Sequence, residues 1–229
     1  MNCATIETRP LLLGHRGVRS EKTIPENTFA AFDLALASGC DGFEFDVRLS
    51  GDGQAVICHD ATVRASGLEI AKIPAGRLAL PLLEEVLARY RRKAFLDIEL
   101  KVAGLEKITA EVLRNSPAER GVVVSSFLPE VIAAIHRIDP SLPLGLICEN
   151  QSQFRRWREL PVEYVIPHQK LLRPDLISKI KSVGKKILAW TVNSPAAMRR
   201  FSKSGVDGIV SDNPKQLVRI LGAKIASGK

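Results

Sequence analysis

The sequence predicts one α/β domain over residues 1–229, a (β/α)8 TIM barrel with a short β-hairpin excursion after its second strand. Three observations lead there. Short apolar runs alternate with helical patterns along nearly the whole chain, which argues for a parallel sheet covered by helices. Nine such runs occur, but only Ser50-Gly51-Asp52-Gly53 and Gln54 lie between the second and the third. A parallel crossover needs a dozen or more residues, so these two runs form a hairpin and eight parallel strands remain. Finally, histidines and charged residues gather at the C-terminal ends of strands, where such barrels carry function. A doubly wound open sheet is the alternative, but no Gly-x-Gly-x-x-Gly follows the first strand.

The strands are expected at residues 11–17, 42–49, 55–59, 94–101, 121–127, 143–148, 164–168, 186–192 and 208–212. Pro25-Glu26-Asn27-Thr28 opens the first helix at 29–38, with Asn27 as its cap or as a brace for the neighbouring loop, and Gly39 stops it. Further helices are expected at 82–90, 105–115, 129–138, 153–160, 174–183, 195–203 and 214–221. Several begin with proline, whose missing N–H costs nothing in a first turn. Gly184 and Gly205 sit where helices end. The tail at 223–229 is small and polar and is expected to fray.

With 45% hydrophobic and 25% charged residues the chain is neither disordered nor fibrous. No apolar run approaches the ~18 residues of a membrane span. Cys3, Cys40, Cys58 and Cys148 form no C-x-x-C pair and read as small buried hydrophobes. The N-terminus has no basic stretch leading into an apolar core, so a cytoplasmic, reducing location is expected. A net charge of +8 favours an anionic partner, whether nucleic acid, a membrane surface or a phosphorylated small molecule, and is equally met by a soluble, self-repelling surface. Arg155-Arg156-Trp157-Arg158 is too short a run to argue for nucleic acid or membrane and reads as a solvated helix face. The oligomeric state is left open.

The strand ends carry the chemistry. Strand one closes on Gly14-His15-Arg16-Gly17, strand two carries Glu44-Phe45-Asp46, and the third parallel strand carries Asp97-Ile98-Glu99-Leu100-Lys101. Side chains alternate across a strand, so Glu44 pairs in direction with Asp46, and Asp97 with Glu99 and Lys101. The hairpin brings His59-Asp60 back to this level, with Asp46 roughly opposite His59. Asp97 lies a layer deeper and suits a buried hydrogen bond. Carboxylates aimed at one small volume repel unless a cation sits between them, and all-oxygen ligation suits Mg²⁺ or Ca²⁺. Arg16 and Lys101 match a phosphate, one as a fork of donors and the other as a point charge. Histidines His15 and His59 can exchange protons at neutral pH. Trp190 and Phe127, at strand ends, can wall the pocket; His168 ends another strand and is a lesser candidate for contact, while His136 belongs to a helix surface.

His15-Arg16-Gly17, Pro25-Glu26-Asn27-Thr28, Glu44-x-Asp46, His59-Asp60 and Glu99-x-Lys101, in this order and spacing, resemble the glycerophosphodiester phosphodiesterase family. Pro81-Leu82-Leu83-Glu84-Glu85-Val86, Trp190-Thr191-Val192-Asn193 and Val206-Asp207-Gly208-Ile209-Val210-Ser211-Asp212 extend the likeness from about Leu11 to Pro214. The resemblance implies a metal-dependent barrel that hydrolyses glycerophosphodiesters to an alcohol and glycerol 3-phosphate. It implies His15 and His59 as the acid/base pair, and Glu44, Asp46 and Glu99 as ligands of one divalent cation. Arg16 and Lys101 would contact phosphate. The order in which the histidines act, and whether the glycerol hydroxyl or water attacks first, stay open. The chain departs from the family's pattern after His59-Asp60. Only roughly twenty residues precede the next helix, so the lid insertion is reduced and the mouth is expected to be open. A phospholipase-D-like activity on lysophospholipids or sphingolipids is the alternative, and would need an apolar groove beside that lid. A silent, phosphate-binding barrel is a remote third reading, because every polar motif is present.

Overall fold

A computed structural model describes residues 9–222. Cys3 and the tail at 223–229 lie outside the described residues. The strands are β1 (Leu11–Gly14), β2 (Gly42–Leu49), β3 (Ala55–Ile57), β4 (Phe95–Leu100), β5 (Val122–Ser126), β6 (Leu144–Cys148), β7 (Tyr164–Pro167), β8 (Lys186–Ala189) and β9 (Gly208–Ser211). Neighbours run β1-β9-β8-β7-β6-β5-β4-β2-β3, and β1 also pairs with β2, so the eight parallel strands close on themselves. Only β3 is antiparallel, folded back on β2. The fold is the expected (β/α)8 barrel with its hairpin.

Helices α1 (Phe29–Ala37), α2 (Leu83–Tyr90), α3 (Glu106–Asn115), α4 (Pro129–Ile138), α5 (Gln151–Arg155), α6 (Pro174–Lys181), α7 (Pro195–Lys203) and α8 (Pro214–Leu221) form the outer ring. They bury their apolar faces on the outward side chains of the strands: Phe32 of α1, for example, stacks on Phe43 of β2 at 4.3 Å between centroids. A second apolar cluster, with Leu13, Phe95, Ile147, Tyr164 and Val210 among its members, fills the barrel interior beneath the functional face.

The differences from expectation have local causes. Strand β1 stops at Gly14, because Arg16 and Gly17 take left-handed φ of 51° and 78°. A β-carbon on Gly14 would sit 2.0 Å from the Gly17 carbonyl oxygen, so only glycine allows this tight turn. The expected helix at 153–160 begins earlier, where Asn150 accepts from Gln153 N at 3.0 Å. It tightens into a 3₁₀ turn at Arg156–Arg158. Within that run Trp157 is buried while its arginine neighbours are exposed, so the solvated face is interrupted by one core anchor. Strand β8 ends at Ala189, one residue short of Trp190. Cys40 and Cys148 are buried as expected, whereas Cys58 is only half-buried.

Candidate active site

Sheet register assembles the acids. Strands β2 and β4 pair in parallel with Glu44 beside Asp97 and Asp46 beside Glu99. Alternation turns all four inward, while Phe43, Phe45, Ile98 and Leu100 face the helices. Glu44, Asp46 and Glu99 each offer a carboxylate oxygen, all within 4.8 Å of one another, and all three are buried. Asp97 lies deeper, where it accepts from Ser125 Oγ at 2.6 Å.

The charges in this cluster are unevenly balanced. Burial, then Asp46 and Glu99, push the Glu44 carboxyl well above its usual range. Burial and Asp46 raise Glu99 to about 7 against the pull of Lys101. Burial also raises Asp97 to about 7. Burial opposes ionisation of Asp46 too, but Arg16, Lys101 and Asn27 overcome it and hold that carboxyl below its usual value. Asn27 Nδ2 donates to Asp46 Oδ2 at 2.8 Å, and Asn27 itself takes a left-handed φ of 58°. The cap of α1 is Thr28, which accepts from Ala31 N at 3.3 Å. Asn27 therefore braces the acid cluster and does not cap the helix.

Two cations flank the acids. Lys101 Nζ lies 2.6 Å from Glu99 Oε1 and 3.3 Å from Asp46 Oδ1, and 5.7 Å from the centre of the Phe127 ring. Arg16 N donates to Glu44 Oε2 at 2.9 Å; its Nη1 donates to Glu26 Oε1 at 2.8 Å, and its Nε lies 3.1 Å from Asp46 Oδ2. Buried Glu44 Oε1, Asp46 Oδ1 and Glu99 Oε1 nevertheless have no hydrogen bond of good geometry. Glu44 Oε1 has no partner at all, and the other two oxygens share the single Lys101 ammonium; buried carboxylates so under-supplied with donors fit a hard divalent cation.

The histidines approach from two sides. His15 follows β1, is nearly buried, and places Nε2 3.8 Å from Glu44 Oε2. Its Nδ1–H donates to Asp212 Oδ1 at 2.7 Å, because a carboxylate can only accept. Burial opposes ionisation of Asp212, yet His15, Asn193 and Arg19 bring its carboxyl down to about 2. Burial, more than any other cause, lowers the pKa of His15. His59 follows the hairpin, with its side chain 35% exposed, and its Nδ1 pairs with Asp60 Oδ1 at 2.8 Å. The hairpin register sets Val47 opposite Ile57, and Cys58 N donates to the Asp46 carbonyl at 3.0 Å. Cys58 therefore faces Asp46, and His59 stands one residue beyond the expected position.

These residues surround one cavity of about 280 Å³. Its charged side is formed by His15, Arg16, Glu44, His59, Glu99 and Lys101, with Asp97 at its floor and Glu149 at its rim, and its apolar side by Phe127, Ile147, Ile166, Trp190 and Val210. Trp190 is fixed by its indole N–H, which donates to the Ile166 carbonyl at 2.9 Å. Asp46 lies behind the cavity wall with its carboxylate turned to the acid cluster. His168 does not line the cavity and packs edge-on against Trp190 at 5.4 Å. Asp212 was missed in the sequence. Its signal was its place at the end of the last strand, which barrel closure sets beside the end of the first.

Comparisons with known proteins show the family. The glycerophosphoryl diester phosphodiesterase family model matches residues 15–69 and 71–216. A glycerophosphodiester phosphodiesterase of Caldanaerobacter subterraneus subsp. tengcongensis is 32% identical over 240 residues, covering 93% of this chain and 98% of its own. A phosphodiesterase structure from Oleispira antarctica, in complex with the product sn-glycerol-3-phosphate, superposes with a TM-score of 0.82 at 28% identity, covering 94% of this chain and 98% of its own. A phosphodiesterase structure from Silicibacter pomeroyi, at 24% identity and 93% coverage of both chains, shares the fold with a TM-score of 0.83. The chain belongs to the glycerophosphoryl diester phosphodiesterase family, a family of phosphoric diester hydrolases.

Proposed function

We propose that this protein hydrolyses glycerophosphodiesters to an alcohol and glycerol 3-phosphate, using one divalent cation held by Glu44, Asp46 and Glu99. One observation carries the reading: His15, His59, Glu44 and Glu99 line a single cavity flanked by Arg16 and Lys101, with Asp46 completing the acid cluster just behind its wall. Mg²⁺ or Ca²⁺ suits the all-oxygen donor set, and such an ion polarises a phosphoryl oxygen when bound.

Arg16 and Lys101 hold the phosphate and stabilise the charge that grows on its oxygens. His15 acts as the general base. Its lowered pKa keeps it neutral at physiological pH, and its Nδ1–H is committed to Asp212, which leaves the Nε2 lone pair for the attacking hydroxyl. As that O–P bond forms, the proton passes to Nε2 and Asp212 stabilises the imidazolium. His59 stands at the open side of the cavity and donates a proton to the departing alcohol as the second P–O bond breaks. This order follows from enclosure: the constant glycerophosphoryl part fits the closed end beside His15, and the variable alcohol leaves past half-exposed His59. The attacking hydroxyl is the neighbouring glycerol hydroxyl, to give a cyclic phosphate that water opens, or water itself. Trp190 and Phe127 wall the apolar side against the glycerol carbons.

The family match along the barrel supports the reading of one catalytic domain. Free thiols at Cys40, Cys58 and Cys148 are in keeping with a reducing, cytoplasmic compartment. Among the described residues no helix is long and apolar enough to cross a membrane. The test is glycerol 3-phosphate release from several glycerophosphodiesters, with each metal and with chelator. Metal-dependent release supports the reading, and no release from any of them refutes it.

A further inference from the structure

A second cavity, of about 300 Å³, adjoins the catalytic one, and His59 belongs to the walls of both. It lies between the Pro25–Thr28 turn and the short segment from Asp60 to Leu80. Its apolar wall is made by Ile57, Val63, Ile70, Leu78 and Leu80. That wall is held by short-range pairing: Val63 N donates to the Leu68 carbonyl at 2.8 Å, and Ile70 N to the Ala61 carbonyl at 2.9 Å. Isolated bridges join Thr62 to Glu69 and Val56 to Leu82. Small-molecule sites are typically apolar clefts with a few placed polar groups, and here the shared polar group is the one read as the general acid.

The acids at its rim are already committed. Glu26 bonds Arg16 at 2.8 Å and Arg19 at 2.5 Å. Asp60 bonds His59 at 2.8 Å and Arg64 at 3.0 Å. No carboxylate on this wall is left for a cation, and the exposed Arg64 guanidinium repels one. An alcohol leaving at His59 carries its substituent away from phosphorus, out of the closed cavity and over this apolar surface.

We propose that this groove is the leaving-alcohol subsite, and that it selects glycerophosphodiesters whose alcohol has an apolar, alkyl body over those with a cationic amino-alcohol. The inference rests on the proposed reaction and on His59 as its acid. Burial of each added methylene is worth about a three- to fourfold gain in kcat/KM until the groove is filled.

The experiment measures kcat/KM for the methyl, butyl, hexyl and choline esters of glycerol 3-phosphate, with wild-type protein and with Val63→Asn and Leu80→Asn, singly and together. Neither residue belongs to the catalytic cavity. The expected result is a rise from methyl to hexyl in the wild type, with the choline ester no better than the methyl ester. In the variants the methyl ester keeps its rate and the rise with chain length is lost. A flat alkyl series in the wild type overturns the proposal, as does a preference for choline or an undiminished rise in the variants. Acceleration by a chain on the glycerol, as in a lysophospholipid, and not on the leaving alcohol, overturns it too. Because the wild-type series stands alone, a variant that fails to fold does not remove the test. Turnover of the methyl ester separates this proposal from the reaction itself: if no ester is turned over, the proposed function falls with it.

Discussion

Replacing Asp212 with Asn tests the least obvious part of the site. The side chain keeps its shape and loses its charge, 2.7 Å from His15 Nδ1. Two unit charges about 4 Å apart interact by about 4 kcal/mol at an effective dielectric constant near 20. Arg19, at 3.3 Å from Oδ1, and Asn193, at 2.6 Å from Oδ2, share that carboxylate and reduce what His15 feels. We take about 2–3 kcal/mol as lost from the imidazolium-like transition state, or roughly 30- to 150-fold in kcat. A pH effect accompanies it. Asp212 raises the pKa of His15 against burial, so its removal lowers that pKa further. The base is then protonated only at lower pH, and the acidic limb of kcat/KM moves to lower pH. Glycerol 3-phosphate release across pH measures both effects. A kcat within threefold of wild type together with an unmoved acidic limb refutes the pairing as a catalytic device.

Other predictions follow from the same geometry. His59→Gln is expected to lose ~10²–10⁴-fold on an alkyl ester but far less on a 4-nitrophenyl ester, whose leaving group needs no proton; equal losses on both contradict His59 as the acid. Asn27→Ala removes a hydrogen bond to a buried carboxylate and puts alanine at φ 58°, so urea unfolding is expected to show about 2–4 kcal/mol of destabilisation; a change under 1 kcal/mol, on the order of ordinary surface substitutions, contradicts the bracing role. In chelator, Asp97 and Glu99 titrate near 7 when folded, against 3.8 and 4.5 as their ordinary values. The folded state thus binds more protons between those values. The stability they contribute is full below the ordinary values and is lost as pH rises through about 7, by up to about 1.4 kcal/mol per pH unit per group. His15 acts in the opposite sense over part of this range, so the informative comparison is Asp97→Asn, whose slope in urea titrations at several pH values should be shallower. An unchanged slope contradicts the burial effect.

The fold was legible because its signals are local. Alternating runs, proline at helix starts and glycine at helix ends marked α4, α7 and α8 at the observed residues. The short Ser50–Gly53 connection forced a hairpin. The acid cluster was legible as well, since two-residue periodicity on β2 and β4 turns Glu44, Asp46 and Glu99 the same way and parallel pairing makes them neighbours. What escaped depends on long-range closure or on turn geometry. Asp212 meets His15 across 197 positions of chain, only because β9 pairs with β1. The hairpin register was one residue off, since register follows the turn conformation, which composition specifies weakly. Asn27 and Thr28 are both capable caps, and the left-handed backbone at Asn27, with its reach to Asp46, decided between them. The groove beside His59 is built by bridges and 3₁₀ turns that leave little periodic trace.

In the proposed reaction, Glu44, Asp46 and Glu99 together hold one divalent cation that turnover needs. Calorimetric titration of Mg²⁺ or Ca²⁺ into chelator-stripped protein tests it directly, beside the Glu44→Gln, Asp46→Asn and Glu99→Gln variants. One ion should bind per chain, binding should be weakened or abolished in each variant, and glycerol 3-phosphate release should return in the wild type as the ion binds. Unchanged binding in all three variants, or full turnover in excess chelator, would contradict it.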